Sequence, residues 1–484
     1  MKLFQKSILL IIISVSLLFN CKVKENKDDS NVILLSGLLY ASRQVKVSTA
    51  AELTTESDAN YDNNKFGLVT ATTLKTWIDN WQVNKPADIT GNLVIIHSGT
   101  TSNFIKPANG VLSFDWNNDV FKTGDRFAYR ASRNNGIITD PNSLPTGAIT
   151  DEILQTYGID PTKDLIVFAA RNDSGAGTDA SPRGSIYQGL HRALYWLRYW
   201  GVDRKNLAIL NGAINQNGEF PAGYLTATSA DLSTPTKGNF TIKSFSKIDN
   251  SVLVQPLENV IAFAKNPTSH NVYGVTDIFI ADARHRYAAA DPGVGGGASN
   301  SSEYSGSIAA NTVGPTSGAL FAGHIKGAKF TPWPRVIDQT TGKFKTKSEI
   351  ASLWSDVRTG FDTVNTVGSG YKDGQTILHY CRTNARSMVT GLSAFLILGK
   401  PSVFYENSMI EWTALSANHT TPGLRTLPPG HKFATDTEEL TERGTNTPGP
   451  AYNASSDINQ YAGFNINTSA TTSRLNIDED KAYK

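Results

Sequence analysis

The residues best suited to chemistry lie in one short run, Tyr380-Cys381-Arg382-Thr383-Asn384-Ala385-Arg386-Ser387. A thiolate is a strong nucleophile, and a neighbouring guanidinium lowers the pKa of the thiol that yields it. The run follows the apolar stretch Gln375–Tyr380 and precedes the apolar stretch Ser387–Gly399, whose spacing is helical. Cys381 is therefore expected at a strand-to-helix junction. In parallel α/β sheets such junctions form ligand sites, because the next helix directs N–H groups and its positive dipole end at the loop. An inert core cysteine would not normally be bracketed by two guanidinium groups, since burying them is costly unless they are paired. The chain has two cysteines in all. That excludes a zinc or iron–sulfur cluster built on cysteine, and neither metal nor cofactor is called for.

The elements that position this run occur twice. In the first half, Thr150–Ile159 reads as a helix, Asp164–Ala170 as a buried strand, Ile186–Gly201 as an apolar helix stopped by glycine, and Asn206–Gly212 as a strand. The second half repeats the order. Lys347–Phe361 is a helix, Gln375–Tyr380 a strand, Ser387–Gly399 a helix and Pro401–Asn407 a strand. Each half opens on a further apolar strand, Leu93–Gly99 or Asp277–Arg284. Strands alternating with helices predict an α/β fold, two homologous domains each with a parallel sheet covered on both faces. The two join near residues 235–260, and the glycine-rich Gly293–Ser307 reads as an insertion loop.

On these residues the chain resembles the rhodanese sulfurtransferases, whose six-residue active loop begins with the catalytic cysteine. Asp282-Ala283-Arg284-His285-Arg286-Tyr287 is similar to the family's D-x-R…R-[FY] stretch. Gly323-His324-Ile325-Lys326-Gly327-Ala328 matches its G-H-I-x-G-A turn. Tyr405-Glu406-Asn407-Ser408-Met409-Ile410-Glu411-Trp412 resembles its Y-D-G-S-W-x-E-W segment. The four signatures stand in the family's order, and the resemblance covers most of residues 270–415 and, weakly, 85–225. It implies a tandem enzyme with a silent first copy. Indeed, where the second copy has Tyr380-Cys381 the first has Ala169-Ala170, and no thiol remains.

The resemblance also implies roles. Cys381 takes a sulfur atom as a persulfide, cradled by the loop of Arg382, Thr383, Asn384, Ala385 and Arg386. Arg382, Arg386 and Arg286 bind an anionic donor, and Asp282 orients Arg286. His324 and Glu411 are read as structural, through a turn hydrogen bond and an ion pair. His379 is left out because strand alternation turns it away. Asn384 stands where the family commonly has glycine, and asparagine is the residue after glycine that best tolerates a left-handed backbone. Thr383 carries no charge where some thiosulfate users have lysine. Asn407 and Met409 replace the glycine and tryptophan of Y-D-G-S-W. Loops of the form C-R-x-G-x-R-S point to thiosulfate as donor, with cyanide or a thiol as acceptor. Loops of the form C-G-[ST]-G-V-T belong to users of 3-mercaptopyruvate, which stays open as the donor.

At the amino terminus, Lys2 and Lys6 flank a basic start and Ser7–Phe19 is an apolar run too short to span a bilayer. Cys21 and the polar KVKENKDDSN follow. This resembles a bacterial lipoprotein signal, although Phe19 and Asn20 are larger than the residues usual before the cysteine. It implies a signal peptide at 1–20, lipid on Cys21, and a location in the cell envelope with membrane contact through the anchor only. A tether and a short apolar segment occupy 21–45, the first domain 46–240, the catalytic domain 255–415 and a loop-rich extension 416–484. Losing residues 1–20 leaves 43 basic and 43 acidic side chains, so nucleic acid is not an expected partner. A monomer is expected. Two rivals stay open: a surface lipoprotein that keeps the fold without catalysis, and a cysteine-dependent phosphatase. The phosphatase loop has five residues between cysteine and arginine, whereas four separate Cys381 from Arg386.

Overall fold

The structure is a computed structural model. It describes residues 44–98, 103–116, 130–171, 186–215, 217–268, 274–284, 320–355, 369–419, 425–443, 447–452 and 465–484. Cys21, Arg286, the insertion at 293–307 and the far end of the helix expected up to Phe361 lie outside these residues.

Two five-stranded sheets form the centre of the fold. The first contains β1 (Gly67–Val69), β2 (Leu93–His97), β3 (Val111–Asp115), β4 (Leu165–Ala169) and β5 (Leu207–Leu210). The second contains β6 (Val254–Gln255), β7 (Ile278–Asp282), β8 (Lys329–Phe330), β9 (Thr376–Tyr380) and β10 (Ser402–Tyr405). The spatial orders are β1-β5-β4-β2-β3 and β6-β10-β9-β7-β8. Counted within each half, these are one and the same order, and every pairing is parallel. The fold is thus α/β with two like domains. Each sheet begins one short strand earlier than the sequence pattern indicates, at β1 and β6.

Alternation along the first sheet explains its two helical layers. Leu93, Ile95, Leu165 and Val167 pack with Leu74 and Trp77 of α1 (Ala71–Asp79). Val94, Ile96, Ile166 and Phe168 pack on the opposite side with Ile153 of α2 (Gly147–Thr156) and Leu194 of α3 (Tyr187–Trp200). Helix α3 is buried nearly all round, including His191, Arg192 and Arg198. A helix without a polar face must be covered on every side. Its outer side is covered by α6 (Arg386–Leu392), the helix that holds the equivalent place in the second domain. In chain order α4 (Leu257–Lys265) and α5 (Lys347–Ser355) precede α6, which continues as a π-helical turn over Ser393–Ile397. Helix α7 (Ser408–Ala414) follows β10.

The described residues beyond 415 return across both domains. Thr441–Arg443 pairs antiparallel with His324–Ile325, and Ala451–Tyr452 with Phe321–Ala322. Helix α8 (Leu475–Tyr483) docks on the first domain. Asp480 accepts from Arg133 at 2.9 Å and from Tyr199 at 2.7 Å. Tyr483 donates to Asp151 at 2.8 Å. Among the described residues no helix is long and apolar enough to cross a membrane.

Candidate active site

Cys381 follows the last residue of β9, at the carboxyl end of the sheet. Its neighbour Tyr380 pairs with Asp282 of β7. In the first sheet Ala169 pairs with His97 at the corresponding register, so Ala170 occupies the place of the thiol.

The loop is held from behind by main-chain bonds to the start of α7. Met409 N–H donates to the Cys381 carbonyl at 3.2 Å and Ile410 N–H to the Arg382 carbonyl at 3.0 Å. Ser408 Oγ accepts from Cys381 N–H at 3.4 Å and donates to the Tyr405 carbonyl at 2.9 Å. This is the local task of the Y-E-N-S segment: its backbone turns at Ser408, φ +52°, and presents free N–H groups to the loop. Asn384 has φ +55°, the left-handed conformation expected where the family has glycine. Its amide Nδ2 donates to Glu406 at 2.9 Å, and its Oδ1 accepts from Ser387 Oγ at 2.6 Å.

The Cys381 thiol is 0% exposed. Burial pushes its pKa up. The charge of Arg386 and the N–H groups of Ser387 and Thr383 pull it down and prevail, leaving it below the ordinary thiol value, and the Ser387 hydroxyl lies within reach of the sulfur. Arg382, Thr383 and Arg386 are part-exposed around it, while Asn384 and Ala385 are buried beneath. Arg386 and Thr383 thus act on the sulfur. Ser387, whose N–H does so too, was not singled out from the sequence; its place just after the loop's arginine, in the first turn of α6, was the available signal. Among the described residues no group of His, Cys, Asp and Glu could hold a metal ion.

The Asp282 carboxylate is held by the Nε, at 3.0 Å, and the Nη2, at 2.7 Å, of Arg284; its expected partner Arg286 lies outside the described residues. Arg284 also reaches the Gly323 carbonyl at 2.7 Å, so the pair ties β7 to the G-H-I-x-G-A turn. That turn accepts no other residue at Gly323, where φ is +146° and a Cβ would lie 2.6 Å from the Glu442 carbonyl. His324 lies 3.8 Å from the Glu442 carboxylate of the returning segment. Among the described residues Glu411 makes no ion pair. It accepts from neutral partners, Asn135 at 2.5 Å and Tyr405 at 2.8 Å. His379 is a core residue stacked on Phe404.

Glu411 borders a small cleft shared with Asn135, Asn407 and Asn476. Burial raises its pKa to about 7; hydrogen bonds from Asn135, Tyr405 and Asn407 lower it and the Asp140 charge raises it further. Its ordinary value is 4.5. Between pH 4.5 and about 7 the folded protein therefore keeps a proton that the unfolded chain has lost, and stability falls as pH rises through that window. Asp140, raised to about 6, acts in the same sense. His97, His191 and His379, each lowered to about 3 by burial, act in the opposite sense. The difference between wild type and Glu411→Gln isolates the one group. Relative to wild type, Glu411→Gln is expected to gain on the order of 3 kcal/mol between pH 4.5 and 8, read from urea unfolding at several pH values. A difference independent of pH would show that Glu411 is ionised throughout.

No family model matches the chain. In sequence it is 32% identical over 111 residues to the sulfur carrier protein TtuD of Thermus thermophilus, which is 23% of this chain and 34% of that one. It is 34% identical over 111 residues to SseA of Mycobacterium tuberculosis, named as a candidate thiosulfate sulfurtransferase, again 23% of this chain and 32% of that one. The chain thus spans about a third of the length of these curated relatives. Among solved structures, Tum1 of Saccharomyces cerevisiae superposes with a TM-score of 0.46 at 13% identity, over 72% of this chain and 95% of that one. Over part of its length, then, this chain is similar in sequence to a sulfur carrier and to a protein named for sulfur transfer.

Proposed function

We propose that this chain is a rhodanese-like sulfurtransferase that moves a sulfane sulfur from thiosulfate to cyanide or a thiol through a persulfide on Cys381. The observation that carries this reading is the setting of the Cys381 sulfur, which faces the N–H groups of Thr383 and Ser387 and the charge of Arg386. The thiolate attacks the outer sulfur of thiosulfate. The donor's S–S bond breaks, and sulfite leaves with its electron pair. The persulfide's terminal sulfur bears the negative charge that the loop N–H groups and Arg386 stabilise. Cyanide carbon, or a thiolate, then attacks that sulfur. The persulfide bond breaks and Cys381 recovers its thiolate. Two half-reactions of this kind give ping-pong kinetics.

The same reading keeps the protein in the cell envelope, tethered by lipid on Cys21. Mass spectrometry of the purified mature protein, before and after thiosulfate, tests both parts. The peptide containing Cys381 is expected to gain one sulfur atom that cyanide removes, and the first residue is expected to be a lipid-modified Cys21. An unmodified Cys381 would favour a binding scaffold. Phosphate-ester turnover that depends on Cys381, without sulfur gain, would favour a phosphatase.

A further inference from the structure

The polar groups that sulfur transfer leaves unused meet at one buried carboxylate. Glu406 follows β10 and is 3% exposed. It accepts from three donors: Asn384 Nδ2 at 2.9 Å, Tyr195 Oη at 3.1 Å and the Arg192 guanidinium. Tyr195 and Arg192 belong to α3 of the first domain. Arg192 is fully buried and also donates to the Asn142 carbonyl.

This arrangement dictates which way a proton points. A carboxylate paired with arginine can only accept, so Asn384 must meet it with Nδ2. The amide oxygen then faces the other way, where Ser387 Oγ lies at 2.6 Å. An amide oxygen also can only accept, so the Ser387 hydroxyl must donate to it. That hydroxyl is within reach of the Cys381 sulfur as well, but it has one proton to give.

We infer that Glu406 is a positioning residue: through Asn384 it holds the Ser387 proton away from the Cys381 sulfur, so the first domain sets how strongly the thiolate of the second is stabilised. The inference rests on Cys381 being the reacting thiol. The remaining charge near the loop comes from Arg382 and Arg386 within it and from the Asp282–Arg284 pair at the end of β7. The arrangement has a chemical rationale. A thiolate that accepts one more hydrogen bond is more acidic and less nucleophilic. Keeping the hydroxyl turned away preserves attack on sulfur in a site already rich in positive charge.

The test reads the thiol with no sulfur donor present, so it stands apart from whether sulfur is transferred. In the full-length protein the Cys381 pKa is taken from thiolate absorbance against pH, with Cys381→Ala as the blank. Ser387→Ala alone is expected to leave the pKa nearly unmoved. Asn384→Gly keeps the left-handed backbone free of strain and releases the hydroxyl, so it should lower the pKa by about one unit. Adding Ser387→Ala to Asn384→Gly should restore the wild-type value. Glu406→Gln lets the Asn384 amide turn and should shift the pKa in the same direction as Asn384→Gly. Should Glu406→Gln fail to fold around the buried Arg192, the Asn384–Ser387 cycle decides alone. A rise of about one unit in Ser387→Ala, with no change in Asn384→Gly, would place the proton on sulfur from the start and overturn the inference.

Discussion

Cys381→Ala is expected to abolish sulfur transfer, with a loss on the order of a thousandfold or more in kcat, while the protein folds normally. The chemistry has no substitute nucleophile, because the first domain carries Ala170 at the matching place and the only other cysteine, Cys21, precedes the folded domains. The fold has little to lose. The loop is fixed by the carbonyls of Cys381 and Arg382, which accept from Met409 and Ile410 whatever the side chain. Removing one buried sulfur atom leaves a small void, worth about 1 kcal/mol or less. Steady-state production of thiocyanate and a thermal melt check the two halves. Activity comparable to wild type would remove Cys381 from the mechanism.

The second expected result separates the two arginines of the loop. Arg386 is the leading charge that lowers the Cys381 thiol. Arg382→Gly keeps that charge and should weaken donor binding. Thiosulfate is a compact dianion, and a lost charge-assisted hydrogen bond to it costs about 1.5–3 kcal/mol, or roughly ten- to a hundredfold in kcat/KM. Mercaptopyruvate, with one carboxylate, should lose less, so the preference for thiosulfate narrows or reverses. Arg386→Gln should reduce kcat/KM for both donors, because it also raises the thiol pKa. Initial rates with each donor, alongside thiol titration, distinguish the cases. A wild-type preference for mercaptopyruvate, or unchanged selectivity in Arg382→Gly, would show that the charge of the loop does not choose the donor.

What the sequence revealed depended on how local the signal was. Strands β2, β4, β7 and β9 are continuous apolar runs, and Gly201 and Gly399 mark helix ends, so the repeated pattern was legible. Strands β1 and β6 were not, being three and two residues long. They become strands only because β5 and β10 offer them an edge. The left-handed turn at Asn384 was legible because few residues tolerate it. The ion pair of Arg192 with Glu406 joins residues 214 positions apart, and no local pattern records such a meeting. A signal for half of it existed: Arg192 interrupts an otherwise aromatic and aliphatic helix, and a buried guanidinium demands an acid. Asp282 adds a contact the pattern did not name: among the described residues it holds Arg284, two positions away, and the pattern alone does not say which arginines an acid in a D-x-R…R stretch will hold.

The helix at 475–483 bears on the order in which the molecule can be completed. A ribosome releases residue 133 long before residue 480, and the buried guanidinium of Arg133 has Asp480 as its ion partner in the interior. Asn135 likewise waits for Glu411, and Arg192 for Glu406. The first domain is therefore made early and finished late. Loops spanning hundreds of residues must close before its inner charges are neutralised, and long-range closure of that kind slows folding. The interior of the first domain thus reaches its final surroundings only after the last helix has arrived.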